Sequence, residues 1–359
     1  MKVREFGSEY HWDVNLPFLS AVAPQLGLER AHCYRSGRDA LKAVAQLQKS
    51  CCDRVLLPAL CCESMVAPFV LHGIRPVFYR TNGDYTADFE DVQSKLTNHC
   101  ILLYQSYFGI PPFSRQQLQL LRKEHPGVLL LEDRTQDLLR PKAAEDCLAH
   151  MTVASVRKWT ALADGGLLWS DLPVQEPTET EPEFAALRED ALRQKGTYHE
   201  TGDPAVKDAF REKLARANDL LEASAVAAVM SPDSAQLLKQ LDFEKIYALR
   251  CENVRMLSSV LEDALDEKLL DAVTREPEST LYFPILTQWQ SEVQTALARQ
   301  GIYCPVIWPV PKEALGVCSV AEDTAQRILG VPCDHRYTPE DMRHIGKCII
   351  RTVQLCAKN

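Results

Sequence analysis

The sequence predicts an α/β protein built on a mostly parallel sheet covered by helices on both faces. Three observations carry this. Over its first half, short apolar runs alternate with amphipathic stretches. The runs are near-continuously apolar instead of alternating, as strands covered on both faces are. The length of 359 residues suits a large unit plus a small one.

The elements follow in order. Ser36-Gly37-Arg38 opens a helix over 39–48. Strands are expected at 54–57, 76–79, 100–104, 128–131 and 152–155, and helices at 63–72, 88–96 and 115–125. Residues 175–183, rich in Glu, Pro and Thr, read as an exposed loop. Long helices are expected over 203–229 and 242–265, the second a connector to a smaller unit. Residues 280–286 and 303–308 read as strands of that unit, and 339–355 as its last helix, with Thr338 as N-cap and Pro339 as the first helical residue. The expected division is a large domain over 1–240 and a small C-terminal α+β domain over 241–359, with the N-terminal segment packing on the small one.

Composition narrows the function classes. Hydrophobic residues make up 46% and charged residues 25%, the proportions of a globular chain. A net charge of -9 argues against nucleic acid as a partner. No apolar run reaches the roughly 18 residues of a membrane span. The first dozen residues are polar and lack the basic start and apolar stretch of a signal peptide, so a cytoplasmic location is expected. Thirteen cysteines without an export signal read as reduced thiols. Cys51-Cys52 and Cys61-Cys62 are adjacent pairs, not the C-x2-C spacing of tetrahedral zinc, so no metal site is expected.

In open parallel sheets, ligands bind at the carboxyl ends of the strands. Four features fall at such places. Ser36-Gly37-Arg38 offers a hydroxyl and free N–H groups at a helix N-terminus, which suits a phosphate; the same serine also reads as an ordinary N-cap. Asp133 and Gln136 follow the 128–131 strand. An acid there can pair with a pyridinium nitrogen, or belong to a solvated loop. Lys158 follows the 152–155 strand. Desolvation at an apolar strand end can free its amine for a Schiff base; alternatively its stem lies along Trp159. Gly165-Gly166 permits close backbone approach.

Taken together, the order Ser36-Gly37, Asp133-x-x-Gln136, Lys158, Gly165-Gly166 resembles the DegT/DnrJ/StrS family of sugar aminotransferases. These depend on pyridoxal 5'-phosphate (PLP) and have the aspartate-aminotransferase fold, fold type I. "RVLLPALCCESMVAPFVLHGIRPVFY", "YQSYFGIP", "VLLLEDRTQDL" and, near the C-terminus, "RILGVPCDHRYTPEDMRHI" are similar to its motifs, and the seven-residue step from Lys158 to Gly165 is the family's. The resemblance is close over 34–169, loose from 301 onward and poor over 175–278. It implies a seven-stranded sheet, PLP as cofactor, and a homodimer with sites at the interface. Lys158 would hold the cofactor as a Schiff base and move the proton. Asp133 would pair with the pyridine nitrogen, and Gln136 with the ring hydroxyl. Ser36, Gly37 and Arg38 would hold the phosphate, with Ser155 adding to the phosphate or ring contacts.

The departures from the pattern lie on the substrate side. The aromatic that covers the ring is replaced by Cys62, which leaves Tyr107 or Tyr104 to take over. The family's "NyR" segment is absent; Tyr198-His199-Glu200 lies in its place. Ser106 stands where a histidine is usual.

The resemblance implies transfer of an amino group from an amino-acid donor to a keto acceptor such as a nucleotide-linked keto sugar, as in polysaccharide biosynthesis. Other PLP chemistry, a lyase or aldolase step, uses the same lysine and aspartate. A PLP-fold protein that has lost catalysis and acts as a sensor or binding partner is the third reading. Arg336 is expected in a structural ion pair or against a substrate anion. Arg157 either holds an anion or packs on Trp159. His335 and His344 read as surface or helix residues, and the leucine-rich stretch 237–269 as a packing helix.

Overall fold

The computed structural model describes residues 4–20, 26–142, 147–266, 270 and 280–358. A short strand, β1 (Phe6–Gly7), precedes the main body. The chain then alternates β2 (His32–Tyr34), α1 (Gly37–Gln48), β3 (Arg54–Pro58), α2 (Glu63–Leu71), β4 (Arg75–Tyr79), α3 (Phe89–Lys95), β5 (Cys100–Gln105), α4 (Arg115–Glu124) and β6 (Leu129–Asp133). Two further strands, β7 (Met151–Ala154) and β8 (Gly166–Ser170), complete a seven-stranded sheet of order β2-β8-β7-β6-β5-β3-β4. Only β8 runs against its neighbours β7 and β2; β4, β3, β5, β6 and β7 pair in parallel. Val55, Leu56, Leu57, Ile101, Leu102, Leu103 and Leu131 have no exposed surface. Burial on both faces is why these strands read as continuous apolar runs.

A helical pair follows, α5 (Pro182–Thr201) and α6 (Pro204–Ala223), then α7 (Pro232–Leu238) and α8 (Phe243–Asp266). The remaining elements are β9 (Phe283–Leu286), α9 (Gln290–Arg299), β10 (Ile302–Tyr303), α10 (Ser319–Arg327), β11 (Ile328–Val331) and α11 (Pro339–Lys358). β11 pairs antiparallel with β9, and β1 pairs parallel with β10. Val254, Leu257 and Leu261 of α8 pack with Val293, Leu297, Ile345 and Ile349 in a second apolar core.

Three sequence expectations need correction. The stretch 237–269 is not one helix. It breaks between α7 and α8, where Ser20 donates to the Gln240 carbonyl and Asp242 to the Phe18 carbonyl. The Asp242 carboxylate then accepts from Lys245 N at 2.9 Å and starts a new helix. The part of the stretch beyond residue 266, residue 270 apart, lies outside the described residues. The strand expected over 303–308 stops at Tyr303, since Pro305 has no N–H to give a ladder. Helix α5 was not anticipated at all. Its buried side carries Arg188 and Lys195 among Phe184, Ala191 and Leu192, and two buried cations spoil the apolar period.

A buried ion cluster anchors α1. The Asp39 carboxylate accepts from Arg35 Nε and Nη2, both at 2.8 Å, and from Lys42 Nζ at 3.0 Å. Arg35 also pairs with Glu181, just before α5. Asp39 has no exposed surface and Arg35 only 1%. Removing the acid leaves two cations buried without it. Urea unfolding of D39A should therefore show a loss of about 3–5 kcal/mol. A loss below about 1 kcal/mol would show that the cluster does not hold α1 in place.

Candidate active site

The carboxyl ends of β5, β6 and β7 meet the start of α1 around a cavity of about 140 Å³. Strand alternation decides which residues reach it. Tyr104 pairs with Glu132 and Gln105 with Asp133 across β5 and β6. Gln105 and Asp133 line this cavity, whereas Tyr104 and Glu132 line a separate one. Thr135 and Gln136 follow β6 into the same space, and Ser155 and Lys158 follow β7. Ser36, Gly37 and Arg38 close it from α1, and Cys62 from the start of α2.

Glycine permits the convergence. A β-carbon on Gly166 would lie 2.1 Å from the Ser36 carbonyl carbon and 2.5 Å from Gly37 N, and one on Gly37 would lie 3.1 Å from the Ser155 β-carbon. Gly165, at φ 153°, donates to the Arg35 carbonyl at 2.7 Å and accepts from Arg157 N at 3.3 Å.

The Ser36 hydroxyl caps α1. It accepts from Asp39 N at 3.1 Å and donates to the Asp39 carboxylate at 2.8 Å. The Asp133 carboxylate accepts from Thr135 N at 2.8 Å and has no ion pair among the described residues. Burial, opposed by Thr135 and by the charge of Lys158, holds its pKa above the usual value. The Gln136 side-chain oxygen is buried without a hydrogen-bond partner among the described residues. Lys158 ends a one-turn 3-10 helix whose start is tied down by Ser155 N donating to Thr135 Oγ1 at 3.0 Å. Its side chain is exposed to the cleft, so the desolvation expected of it is absent, and its ammonium makes no hydrogen bond or ion pair among the described residues. The neighbouring Trp159 is buried and covered by the Arg250 guanidinium at 4.5 Å.

A larger cleft of about 1150 Å³ opens next to this cavity and shares Gln136, Arg157, Lys158, Asn218 and Trp308 with it. Its walls include Glu9 and Tyr10, Lys207 and Arg211 of α6, and Tyr282. Lys207 is committed to Glu5, at 2.6 Å. Arg336 is committed too. It pairs with Asp334 at 2.8 Å and lies over the Tyr10 ring, which is the structural of its two expected roles.

Some expected residues lie elsewhere. Tyr107 is fully buried, donates to the Leu60 carbonyl and is not among the lining residues; its ring stands 6.4 Å behind Trp308. Tyr104 faces the far side of the sheet against Phe113. His335 is 5% exposed, not a surface residue, and packs between Tyr10 and Phe18; burial pulls its pKa down to about 3. His344 is exposed on α11. Tyr198-His199-Glu200 forms the end of α5, where Tyr198 donates to Glu5 at 3.1 Å. Among the described residues there is no group of three candidate metal ligands, no helix long and apolar enough to cross a membrane, and no disulfide on any of the thirteen cysteines.

Thr135, Asn218 and Trp308 line the site but were missed. Thr135 was visible within the Asp133–Gln136 motif. Asn218 sits on a helix and Trp308 in a loop, both remote in sequence and without motif spacing.

The fold is that of the fold type I PLP-dependent aminotransferases. More particularly, the solved structures it resembles across nearly its full length include DegT/DnrJ/EryC1/StrS sugar aminotransferases. No family model and no curated protein matches the chain. PseC of Helicobacter pylori, an aminotransferase involved in the biosynthesis of pseudoaminic acid, superposes with TM-score 0.65 at 14% identity, over 98% of this chain and 100% of PseC. A DegT DnrJ EryC1 StrS aminotransferase from Brucella abortus gives 0.61 at 16% identity, over 92% and 86%. NtdA from Bacillus subtilis, with bound cofactor PMP, gives 0.63 at 13% identity, over 94% and 79%. At such identities the likeness is one of fold.

Gly166 separates a requirement for close packing from a general preference for glycine. G166A should lower the melting temperature by several degrees, the effect of about 1–3 kcal/mol of overpacking. G83A, where an added β-carbon meets nothing within 4 Å, should change stability by less than about 0.5 kcal/mol. Equal melting temperatures for the two variants would contradict the close approach.

Proposed function

We propose that this protein is a PLP-dependent aminotransferase that moves an amino group from an amino-acid donor to a keto acceptor. The observation that carries the reading is the convergence of Lys158, Asp133 and Gln136 on one cavity closed by the N-terminus of α1. The residues suit the cofactor. Among the described residues Asp133 is a desolvated acid without an ion pair, and the Gln136 oxygen is a buried acceptor without a donor.

When bound, PLP supplies an electron sink for the substrate carbanion. The chain's own groups supply the rest. The Asp133 carboxylate would hold the proton on the pyridine nitrogen, and the Gln136 oxygen would accept from the ring hydroxyl. The Gly37 and Arg38 amides and the Ser155 hydroxyl, beside Ser36, would orient the phosphate at the positive end of α1. Cys62 and Trp308 bound the space for the ring and limit water. Lys158 Nζ would hold the cofactor through its carbonyl carbon and, once the donor's amine has displaced it, would be the free base that takes a proton from the donor's Cα and returns one in the acceptor's half of the reaction. The large cleft beside Lys158 has room for a sizeable acceptor, and we propose a nucleotide-linked keto sugar. A cytoplasmic homodimer completes this reading.

The test is incubation with PLP and a panel of L-amino acids, with assay of the oxo acid and pyridoxamine phosphate formed. Wild type should form the two in equal amounts with at least one donor. K158A and D133N should be slower by about 10²- to 10⁴-fold. Amino acid consumed without an equivalent of pyridoxamine phosphate would point to lyase or aldolase chemistry. No cofactor uptake at all would leave a binding protein on an aminotransferase fold.

A further inference from the structure

Arg157 stands apart from the other largely buried arginines. Arg35 pairs with Asp39 and Glu181, Arg188 with Glu9, and Arg336 with Asp334; Arg250 donates to the Thr280 carbonyl and to the Tyr10 hydroxyl. The Arg157 side chain makes no hydrogen bond or ion pair with any described residue, and its Nε is buried without a partner. It lines both the small cavity and the larger cleft, backed by the Phe184 ring at 6.0 Å. The carboxylates around it are spent. Glu9 is held by Arg188 at 2.8 Å, and Asp164 by the Ser231 amide and hydroxyl at 2.8 and 2.7 Å. Burial and the like charge of Arg188 pull the Arg157 pKa down to about 10, so a cation kept here gains from an anion at hand.

The α1 end of the cavity needs such a cation. The Ser36 hydroxyl is engaged with Asp39 as both donor and acceptor, so it offers less to a ligand than its sequence position suggests. Asp39 itself puts a carboxylate in the first turn, where an anion would otherwise gain most from the helix dipole. Arg38 is partly offset by Glu222 at 3.9 Å. A phosphate monoester brings about -1.5 to -2 of charge near neutral pH. Arg157 is tethered to this end. Its amide donates to Gly165, whose amide donates to Arg35, the neighbour of Ser36; Arg35 and Arg157 share the Phe184 ring.

We infer that Arg157 is the cationic partner of the cofactor's phosphate, which it binds together with the Gly37 and Arg38 amides. The inference rests on the PLP reading above. It makes Arg157 a binding residue that acts on the phosphate and not on the ring.

The experiment compares PLP with pyridoxal, which lacks the phosphate. Dissociation constants are measured from tryptophan fluorescence, to which Trp308 in the cavity wall contributes, for wild type, R157A and R157K. R157A should lose about 10- to 100-fold in PLP affinity, the range expected for a hydrogen bond to a charged group. Its affinity for pyridoxal should match wild type, which also shows that the variant is folded. R157K, which keeps the charge but loses the planar fork, should fall between the two. Inorganic phosphate should compete with PLP in wild type and poorly in R157A. Equal losses for PLP and pyridoxal would overturn the inference, because the arginine would then act on the ring or the fold. An unchanged PLP affinity in R157A would overturn it too and leave the arginine to a substrate anion. A wild type that binds neither compound would remove the PLP reading itself, and this inference with it.

Discussion

The site depends on one close backbone contact, the approach of Gly166 to the Ser36–Gly37 peptide. Strand β8 is the antiparallel member of the sheet and lies between β7, which carries Ser155 and Lys158 at its end, and β2, which leads into Ser36. Any side chain at 166 would push these ends apart. With glycine there, α1 starts beside the turn that holds Lys158, and a helix N-terminus and a lysine face one cavity. The local departures of the chain, a positive φ at Gly165 and a one-turn helix at Lys158, serve that juxtaposition.

Electrostatics then divides the region into groups that are satisfied and groups that are not. Arg35, Asp39 and Lys42, Glu9 with Arg188, and Asp334 with Arg336 are joined in ion pairs. They fix the start of α1, the N-terminal segment and α5 around the cleft. Among the described residues Asp133 has no ion pair, and the Gln136 oxygen and Arg157 Nε are buried without a hydrogen-bond partner; all three residues line the same cavity. A native fold rarely leaves several buried polar groups incomplete in one place unless a ligand completes them. Their chemistry is an acid, a hydrogen-bond acceptor and a cation. In the proposed reading these would meet the nitrogen, hydroxyl and phosphate of a single pyridoxal phosphate molecule.

Much of this was legible in the sequence because the large sheet follows simple rules. Strands buried on both faces are continuously apolar, and the chemistry sits where they end. Asp133, Gln136 and Lys158 stood out as candidates by position, and the resemblance to the family chose between their alternatives. The rest was hidden for physical reasons. Helix α5 buries Arg188 and Lys195, so its apolar stripe is broken. Trp308 reaches the site from a loop that Pro305 keeps out of the sheet, and the preceding Tyr303 is the last strand residue. Tyr107 has an aromatic side chain close to the motif, but its hydroxyl is taken by the Leu60 carbonyl and its ring is in the core. His335 read as a surface or helix residue, yet Tyr10 and Phe18 from the N-terminal segment enclose it. Contacts between distant segments leave no trace in local spacing.

The most direct measurement of the central claim is the position of the covalent link. Protein incubated with PLP is reduced with borohydride and digested, and the pyridoxyl-bearing peptide is located by mass spectrometry. The account predicts one stoichiometric label on Lys158, the lysine that faces the cavity between Asp133 and the start of α1. Label on other lysines alone, or spread evenly over exposed ones, would contradict it.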